Sequence, residues 1–463
     1  MSEYLNTEEY YLSKHIRLVF MLLIIAMGVE GLTDDLFAQK KKRPNIVLIF
    51  TDDQGTLDLN YYGAEDLVTP HMDELGKRGV SFSQFYAVSP VCSPSRAGLL
   101  TGRNPIRAGM PGNAPSMEGN PGMPSTEITI ANMMKDAGYK TAHIGKWHLG
   151  YTPETMPNGQ GFDHSFGHMG GVIDNYSHFF YWAGPNRHDL WRNGERVYYD
   201  GEYFPDLMVK EAKQFITENQ DDPFFLYFAI NLPHYPYQGD EKWLKYYQEK
   251  GISYPRDLYA AFISTQDERI GQLLEVLDDL ELRENTIVIF QSDHGHSTEE
   301  RAHFGGGYAG DYRGAKFSLF EGGIRIPAMI SMPGTIPEGE WRDQLAHGTD
   351  WFPTIAEFTG TSLPQKIIDG RSLHNVIMDS DTDSPHELLF WKFGSQWAVR
   401  KGDWKLIGNP RDTSERGDAR EELGLFLANL KKDPSEEKDF SDSYPEIAEE
   451  LKNEYERWIN SLH

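Results

Sequence analysis

Asn45-Ile46-Val47-Leu48-Ile49-Phe50-Thr51-Asp52-Asp53 runs from an unbroken apolar stretch straight into two adjacent carboxylates. Successive side chains of a strand point to opposite faces, so continuous apolarity leaves no face for solvent and implies burial on both sides. Short runs of similar kind recur at Lys140 to His143, Phe224 to Ile230 and Thr286 to Phe290. Helical patterns separate them: Thr69-Pro70 opens one that reaches Arg78, and others cover 128–137, 206–217 and 258–280. Buried strands alternating with amphipathic helices predict an α/β fold, a large and mostly parallel sheet sandwiched by helices. Farther on, Leu388 to Trp391, Gln396 to Arg400 and Trp404 to Ile407 read as short strands joined at Gly394 and Gly402-Asp403, with Phe426 to Leu430 as a fourth. A helix from Tyr444 to Ser461 closes the chain, giving a small C-terminal antiparallel sheet plus helix. The expected boundaries are an export segment at 1–39, a catalytic domain at 40–375 and a C-terminal subdomain at 376–463.

At 463 residues and 39% hydrophobic content the chain is long enough for a large core. Its formal charge of −26 disfavours nucleic acid and anionic membranes as partners. An anionic substrate would therefore need positive charge concentrated at one place. Residues 18–29 form an apolar run behind Lys14, His15 and Arg17. That run is too short to span a bilayer and suits a secretory signal cut near Ala38-Gln39, which predicts an exported chain with no stable membrane insertion once mature; an amphipathic anchor is the alternative.

Polar residues follow the carboxyl end of each main strand: Asp52-Asp53, Lys146 with His148, His234, and Asp293-His294. Ligands of open α/β sheets bind beyond the strand carboxyl ends, so these groups should share one crevice. Any single one could be an ordinary turn or cap. Adjacent carboxylates repel, and a divalent cation relieves the repulsion; Asp52 and Asp53 can share it only if the strand has ended, for which Gly55 offers the turn.

Cys92 is the only cysteine, so it enters no internal disulfide. It opens Cys92-Ser93-Pro94-Ser95-Arg96-Ala97-Gly98-Leu99-Leu100-Thr101-Gly102-Arg103, with Pro94 read as the first position of a helix that Gly102 ends. A cysteine at a helix N-terminus sits where anions are favoured.

This stretch resembles the signature of the type I sulfatases of the alkaline phosphatase superfamily. Gly145-Lys146-Trp147-His148-Leu149-Gly150, Asn231-Leu232-Pro233-His234 and the run from Lys316 to Pro327 are similar to further sulfatase motifs. The resemblance implies hydrolysis of sulfate esters, most readily on a carbohydrate, with Cys92 oxidised to Cα-formylglycine by a formylglycine-generating or sulfatase-maturating enzyme. It implies that Asp52, Asp53, Asp293 and His294, with the residue at 92, hold one divalent metal, usually calcium. Many members carry Asn where this chain has His294, and a nitrogen donor admits magnesium or manganese as well. It further places Arg96, Lys146, His148, His234 and Lys316 around the sulfate. One hydroxyl of the hydrated aldehyde then attacks sulfur, His234 with Lys316 protonates the leaving oxygen, and His148 deprotonates the second hydroxyl so that the sulfo-enzyme expels sulfate.

Residues 162–201 and 299–313 are aromatic-rich, Gly-rich and weakly periodic, reading as long loops over the crevice. His188, Arg192, His303 and Arg313 are the expected substrate contacts within them. Two other readings stay open: a phosphatase or phosphodiesterase of the same superfamily, which would want a Ser or Thr nucleophile and more metal ligands, and a glycan-binding protein whose Cys92 is never oxidised.

Overall fold

The computed structural model describes residues 43–414, 420–421 and 424–462, and the expected export segment lies outside them. In chain order the main sheet uses β1 (Asn45–Thr51), β2 (Val80–Phe82), β3 (Lys140–Lys146), β4 (His164–His168), β5 (Trp191–Arg192), β6 (Glu195–Arg196), β7 (Phe224–Ala229), β8 (Thr286–Ser292), β9 (Ala328–Ser331) and β10 (Glu340–Arg342). These lie in the order β10-β2-β9-β8-β1-β7-β3-β4-β5-β6. The five central strands, β8 to β4, are parallel; β9 and β5 flank them antiparallel, and β2, β10 and β6 beyond return to the central direction. β1 is buried along its whole length, as its unbroken apolarity requires.

Its alternating side chains feed two cores. Ile46, Leu48 and Phe50 pack under α2 (Cys92–Thr101), α3 (Ile130–Asp136) and α6 (Trp351–Thr359). Val47 and Ile49 pack under α1 (Pro70–Lys77), α4 (Phe204–Glu218) and α5 (Arg256–Asp279). Strand register decides which polar residues meet. Thr51 pairs with Ser292, and Ala229 with Gly145, so the carboxyl ends of β1, β8, β7 and β3 are level and the residues after them are neighbours. Gly145, at φ 118, allows the closest of these approaches, because a Cβ there would sit 2.0 Å from the Ala229 carbonyl oxygen.

Residues 162–201, read as loop, instead contain β4, the β5–β6 ribbon at the sheet edge, and a small hairpin pairing Phe179–Phe180 with Arg187–His188. Strands this short carry too few side chains to show a period in sequence.

A four-stranded antiparallel meander comes next in the chain, β11 (Leu388–Phe393), β12 (Gln396–Lys401), β13 (Trp404–Gly408) and β14 (Leu425–Asn429). Trp391, Ala398, Ile407 and Ala428 face Tyr86, Leu319 and Ile324, whereas Val399, Leu406 and Leu427 lie beneath α7 (Pro445–Asn460). Lys405 shares the inward face with Ile407 and is fully buried, with Nζ 2.9 Å from both Glu321 Oε1 and Glu436 Oε1. Removing one member of a buried charge group strands the rest, so Lys405→Met should cost about 3–5 kcal/mol in urea unfolding; a loss under about 1 kcal/mol would show that the group contributes no more than a surface pair. Among the described residues no helix is long and apolar enough to cross a membrane.

Candidate active site

α2 begins at Cys92 itself, with Val91 as its extended N-cap, so Pro94 is the third helical residue rather than the first. Proline is tolerated throughout a first turn because those N–H groups have no intrahelical acceptor. Gly102 ends the helix at φ 65. The two serines of the signature tie this turn to other strand ends: Ser93 Oγ donates to the His148 carbonyl at 2.6 Å, and Ser95 Oγ to the Asp293 carbonyl at 2.7 Å. Arg96 donates to the Lys146 carbonyl at 3.1 Å and lies 3.4 Å from carboxylate oxygens of both Asp52 and Asp293. With its plane over Phe50 and no exposure, it is a fixed brace.

Asp52 and Asp53 face one point because Asp53 takes the left-handed conformation, φ 60. This corrects the reading that gave Gly55 the turn. Gly55 is required for a different reason, since a Cβ there would meet Asp58 Oδ2 at 2.3 Å and the Tyr308 carbonyl at 2.6 Å. The Asp53 N–H donates to Asp293 Oδ1 at 3.0 Å, linking the two strand ends.

The structure brings Asp52, Asp53, Cys92, Asp293 and His294 together, one ligand atom of each lying within 4.8 Å of the others. Cys92 Sγ is 3.4 Å from His294 Nε2, 3.4 Å from Lys146 Nζ and 3.8 Å from Asp52 Oδ1. Asp53 Oδ1 is buried without a hydrogen-bond partner. His294 Nδ1 is 2.9 Å from the Gly295 carbonyl, which only accepts, so that nitrogen keeps its proton and Nε2 is the one turned to the cluster, where a cation would take the place of its second proton. Three carboxylates, an imidazole nitrogen and an uncommitted carboxylate oxygen suit a divalent cation.

Cations ring this cluster. Lys146 Nζ lies 2.6 Å from Asp52 Oδ2, and Lys316 Nζ 2.9 Å from Asp53 Oδ2 and 3.5 Å from His234 Nε2. His234 Nδ1 is 2.7 Å from the Tyr235 carbonyl, so Nε2 is the ring nitrogen turned toward Lys316. His148, at φ 55, lies with Nε2 3.5 Å from Ser116 Oγ. Every one of these side chains is almost wholly buried; Cys92 is 2% exposed and His148, the most open, 4%.

Such crowding has electrostatic consequences. Burial penalises the Asp52 carboxylate, yet Lys146 and Arg96 hold it well below the usual carboxylate range. Burial pushes Asp53 up to about 6, with Asp52 and Cys92 adding to the rise against Lys316. Asp293 is driven well upward by burial and Asp52. His294 is pushed up to about 9, Asp293 overcoming the burial that would lower it. The Cys92 thiol, despite burial, is held well below its ordinary value by Lys146 and Lys316. Burial keeps His148 low and His234 very low, both as neutral imidazoles.

The expected substrate contacts have these partners. Arg192 forms a bidentate pair with Glu211 of α4, at 2.8 and 2.7 Å, and donates to Tyr199 Oη at 2.9 Å. Arg313 pairs with Asp412 at 2.6 Å and stacks over Phe320. Both guanidinium groups brace the fold through carboxylate partners that no local sequence pattern reveals. His303 is exposed and its Nδ1 is 2.7 Å from Tyr254 Oη, and His188 lies in the small hairpin. Two residues the sequence reading missed are Ser116, beside His148, and Glu299, whose Oε2 is 3.5 Å from Lys316 Nζ and accepts from Tyr235 Oη at 3.2 Å. Both sit in irregular segments with no motif to mark them.

The position of Lys316 also depends on the C-terminal meander. Gln396 Nε2 donates to the Phe317 carbonyl at 2.8 Å, and the Ala315 N–H donates to Thr413 Oγ1 at 3.0 Å.

Known proteins are similar to this chain in sequence and fold. A family model described as Sulfatase matches residues 44–361, and one described as N-sulphoglucosamine sulphohydrolase, C-terminal, matches 314–461. N-acetylgalactosamine-6-sulfatase of Canis lupus familiaris is 34% identical, covering 84% of this chain and 74% of its own. N-acetylgalactosamine-6-O-sulfatase of Bacteroides thetaiotaomicron is 30% identical over 89% of this chain and 92% of its own. Among solved structures, Ps i-CgsB in complex with k-i-k-neocarrahexaose superposes with a TM-score of 0.81 at 29% identity, covering 90% of this chain and 93% of that one.

Proposed function

The chain belongs to the sulfatase family, and from that membership we propose that its crevice cleaves a sulfate ester on a sugar of a polysaccharide, using a formylglycine made from Cys92. The observation that carries this reading is the place of Cys92 Sγ, 3.4 Å from both the Lys146 ammonium and His294 Nε2 beside three carboxylates. Here the sulfur stands where the oxygens of a hydrated aldehyde would lie. That hydrate supplies one hydroxyl to attack sulfur and a second whose ionisation releases sulfate. Asp52, Asp53, Asp293 and His294 would hold the cation, calcium by the weight of oxygen donors, which supplies Lewis acidity at the nucleophile and the sulfuryl group.

The chain's own residues do the rest. Lys146 and Lys316 bind the sulfuryl oxygens, on which charge gathers as the S–O bond breaks. Lys316 Nζ flanks the leaving oxygen and furnishes its proton, and His234 Nε2, 3.5 Å away with its lone pair toward the ammonium, orients it. His148, neutral and oriented beside Ser116, takes the proton of the second hydroxyl. Arg96 holds Asp52 and Asp293 in place and never titrates. Export through residues 1–39 and processing by a maturating enzyme in the producing cell complete the reading. The names of the similar proteins support a 6-sulfated N-acetylgalactosamine, or an oligosaccharide of the neocarrahexaose kind, as substrate.

Mass analysis of the Cys92 peptide tests the central step. The active protein should carry a species lighter than the cysteine form that resists thiol alkylation, and arylsulfate turnover should track its fraction and fall on chelation. Full turnover from protein whose Cys92 is wholly alkylatable would exclude the mechanism. A panel of sulfated mono- and disaccharides, N-acetylgalactosamine 6-sulfate among them, then identifies the sugar.

A further inference from the structure

A second set of metal-ligating side chains gathers away from the crevice cluster, at the small hairpin. His178 precedes its first strand, His188 ends its second, and Asp200 lies in the turn that leads to α4. Phe179 pairs with His188, which brings the two imidazoles together with ring centroids 6.1 Å apart. One ligand atom from each of the three residues lies within 4.8 Å of the other two.

Packing alone does not account for these groups. His178 is fully buried and takes the left-handed conformation at φ 58, unusual for a residue with a Cβ. Its Nε2 donates to the Glu202 carbonyl at 3.0 Å, which leaves the lone pair on Nδ1, and Nδ1 is buried with no hydrogen-bond partner. His188 is 8% exposed, and neither of its ring nitrogens has a hydrogen-bond partner. Stacking on Tyr198 at 4.4 Å satisfies the His188 ring face and leaves its nitrogens unused. Buried polar atoms are seldom left so. His188 Nε2 is 3.8 Å from Asp200 Oδ1, too long for a hydrogen bond but close to the separation of about 3.4 Å that bonds of about 2.0–2.1 Å impose around tetrahedral zinc.

We propose that His178, His188 and Asp200 bind one transition-metal ion of the zinc class, with water completing the tetrahedron. Two imidazoles and one carboxylate are an established zinc donor set, and nitrogen donors disfavour calcium. A carbonyl behind His178 Nε2 fixes the tautomer, as an outer-sphere partner does for a ligating histidine. Burial holds both imidazoles in the neutral form that ligates. The ion would clip the hairpin to the start of α4, ordering the loop that runs from 174 to 203. The proposal is independent of the crevice chemistry.

The test uses the whole protein, stripped with a chelator, returned to excess calcium to supply the oxygen-rich cluster, and titrated with Zn2+ against a chromophoric competitor. Wild type should take up one zinc that calcium does not displace. His188→Gln should weaken that binding by about 100-fold and Asp200→Asn by about 10-fold. Co2+ should give a tetrahedral visible spectrum that His188→Gln abolishes. Absence of zinc uptake by wild type, or zinc affinity unchanged in both variants, overturns the proposal, the latter placing the ion at the Cys92 cluster. If His188→Gln fails to fold, Asp200→Asn decides alone, because its side chain is 74% exposed and its loss leaves the packing intact.

Discussion

Cys92→Ala protein should fold and be inert, with sulfate-ester turnover lower by about four orders of magnitude or more. The two halves of this expectation have separate causes. Cys92 occupies the first position of α2, and turning its CH2–SH into CH3 removes one buried sulfur, at a cost of about 1 kcal/mol and a melting shift of about 1 °C. Among the described residues, the side chains near Sγ are cations and candidate metal ligands, which offer no second nucleophile. Cys92→Ser should be equally inert wherever the serine is not oxidised, since one hydroxyl can accept the group but has no second hydroxyl to release it. Turnover of Cys92→Ala within about tenfold of wild type would end the covalent route.

Lys146→Ala should fail twice, losing about 10³-fold in kcat/KM and about 3–5 kcal/mol in stability. Lys146 Nζ lies 2.6 Å from Asp52 Oδ2, and both side chains have no exposure. Asp52 would keep only Arg96, at 3.4 Å, as a fixed cation. Lys146→Arg should restore part of the stability and little of the rate, because a planar fork cannot occupy the site of a point charge held 3.4 Å from Sγ. Urea unfolding and initial rates on one preparation separate the effects; a variant that keeps both would remove Lys146 from the site.

What could be read in the sequence came from periodicity and from chemistry set at strand ends. Five consecutive apolar residues in β1 announced a strand covered on both faces, and the level register of its neighbours gathered Asp52, Lys146, His234 and Asp293. The same logic reached α1, α3, α4 and α5 to within a few residues. It failed where a residue's role depends on a distant partner. Nothing near Arg192 in sequence announced its pairing with Glu211, which lies on a helix that sequence does not show folding back on it. Asp53 looked like the end of a strand awaiting a glycine, whereas a short polar side chain can enter the left-handed region itself. Glu299 and Ser116 had neither a period nor a motif to betray them.

The hydrogen bonds that tie Gln396 and Thr413 to the backbone on either side of Lys316 carry a wider meaning. The crevice borrows the aim of one of its ammonium groups from the far end of the chain, so the closing meander is an aligning jig as much as an appended layer. Sequence drift in that meander can therefore detune the chemistry while leaving every reacting group in place.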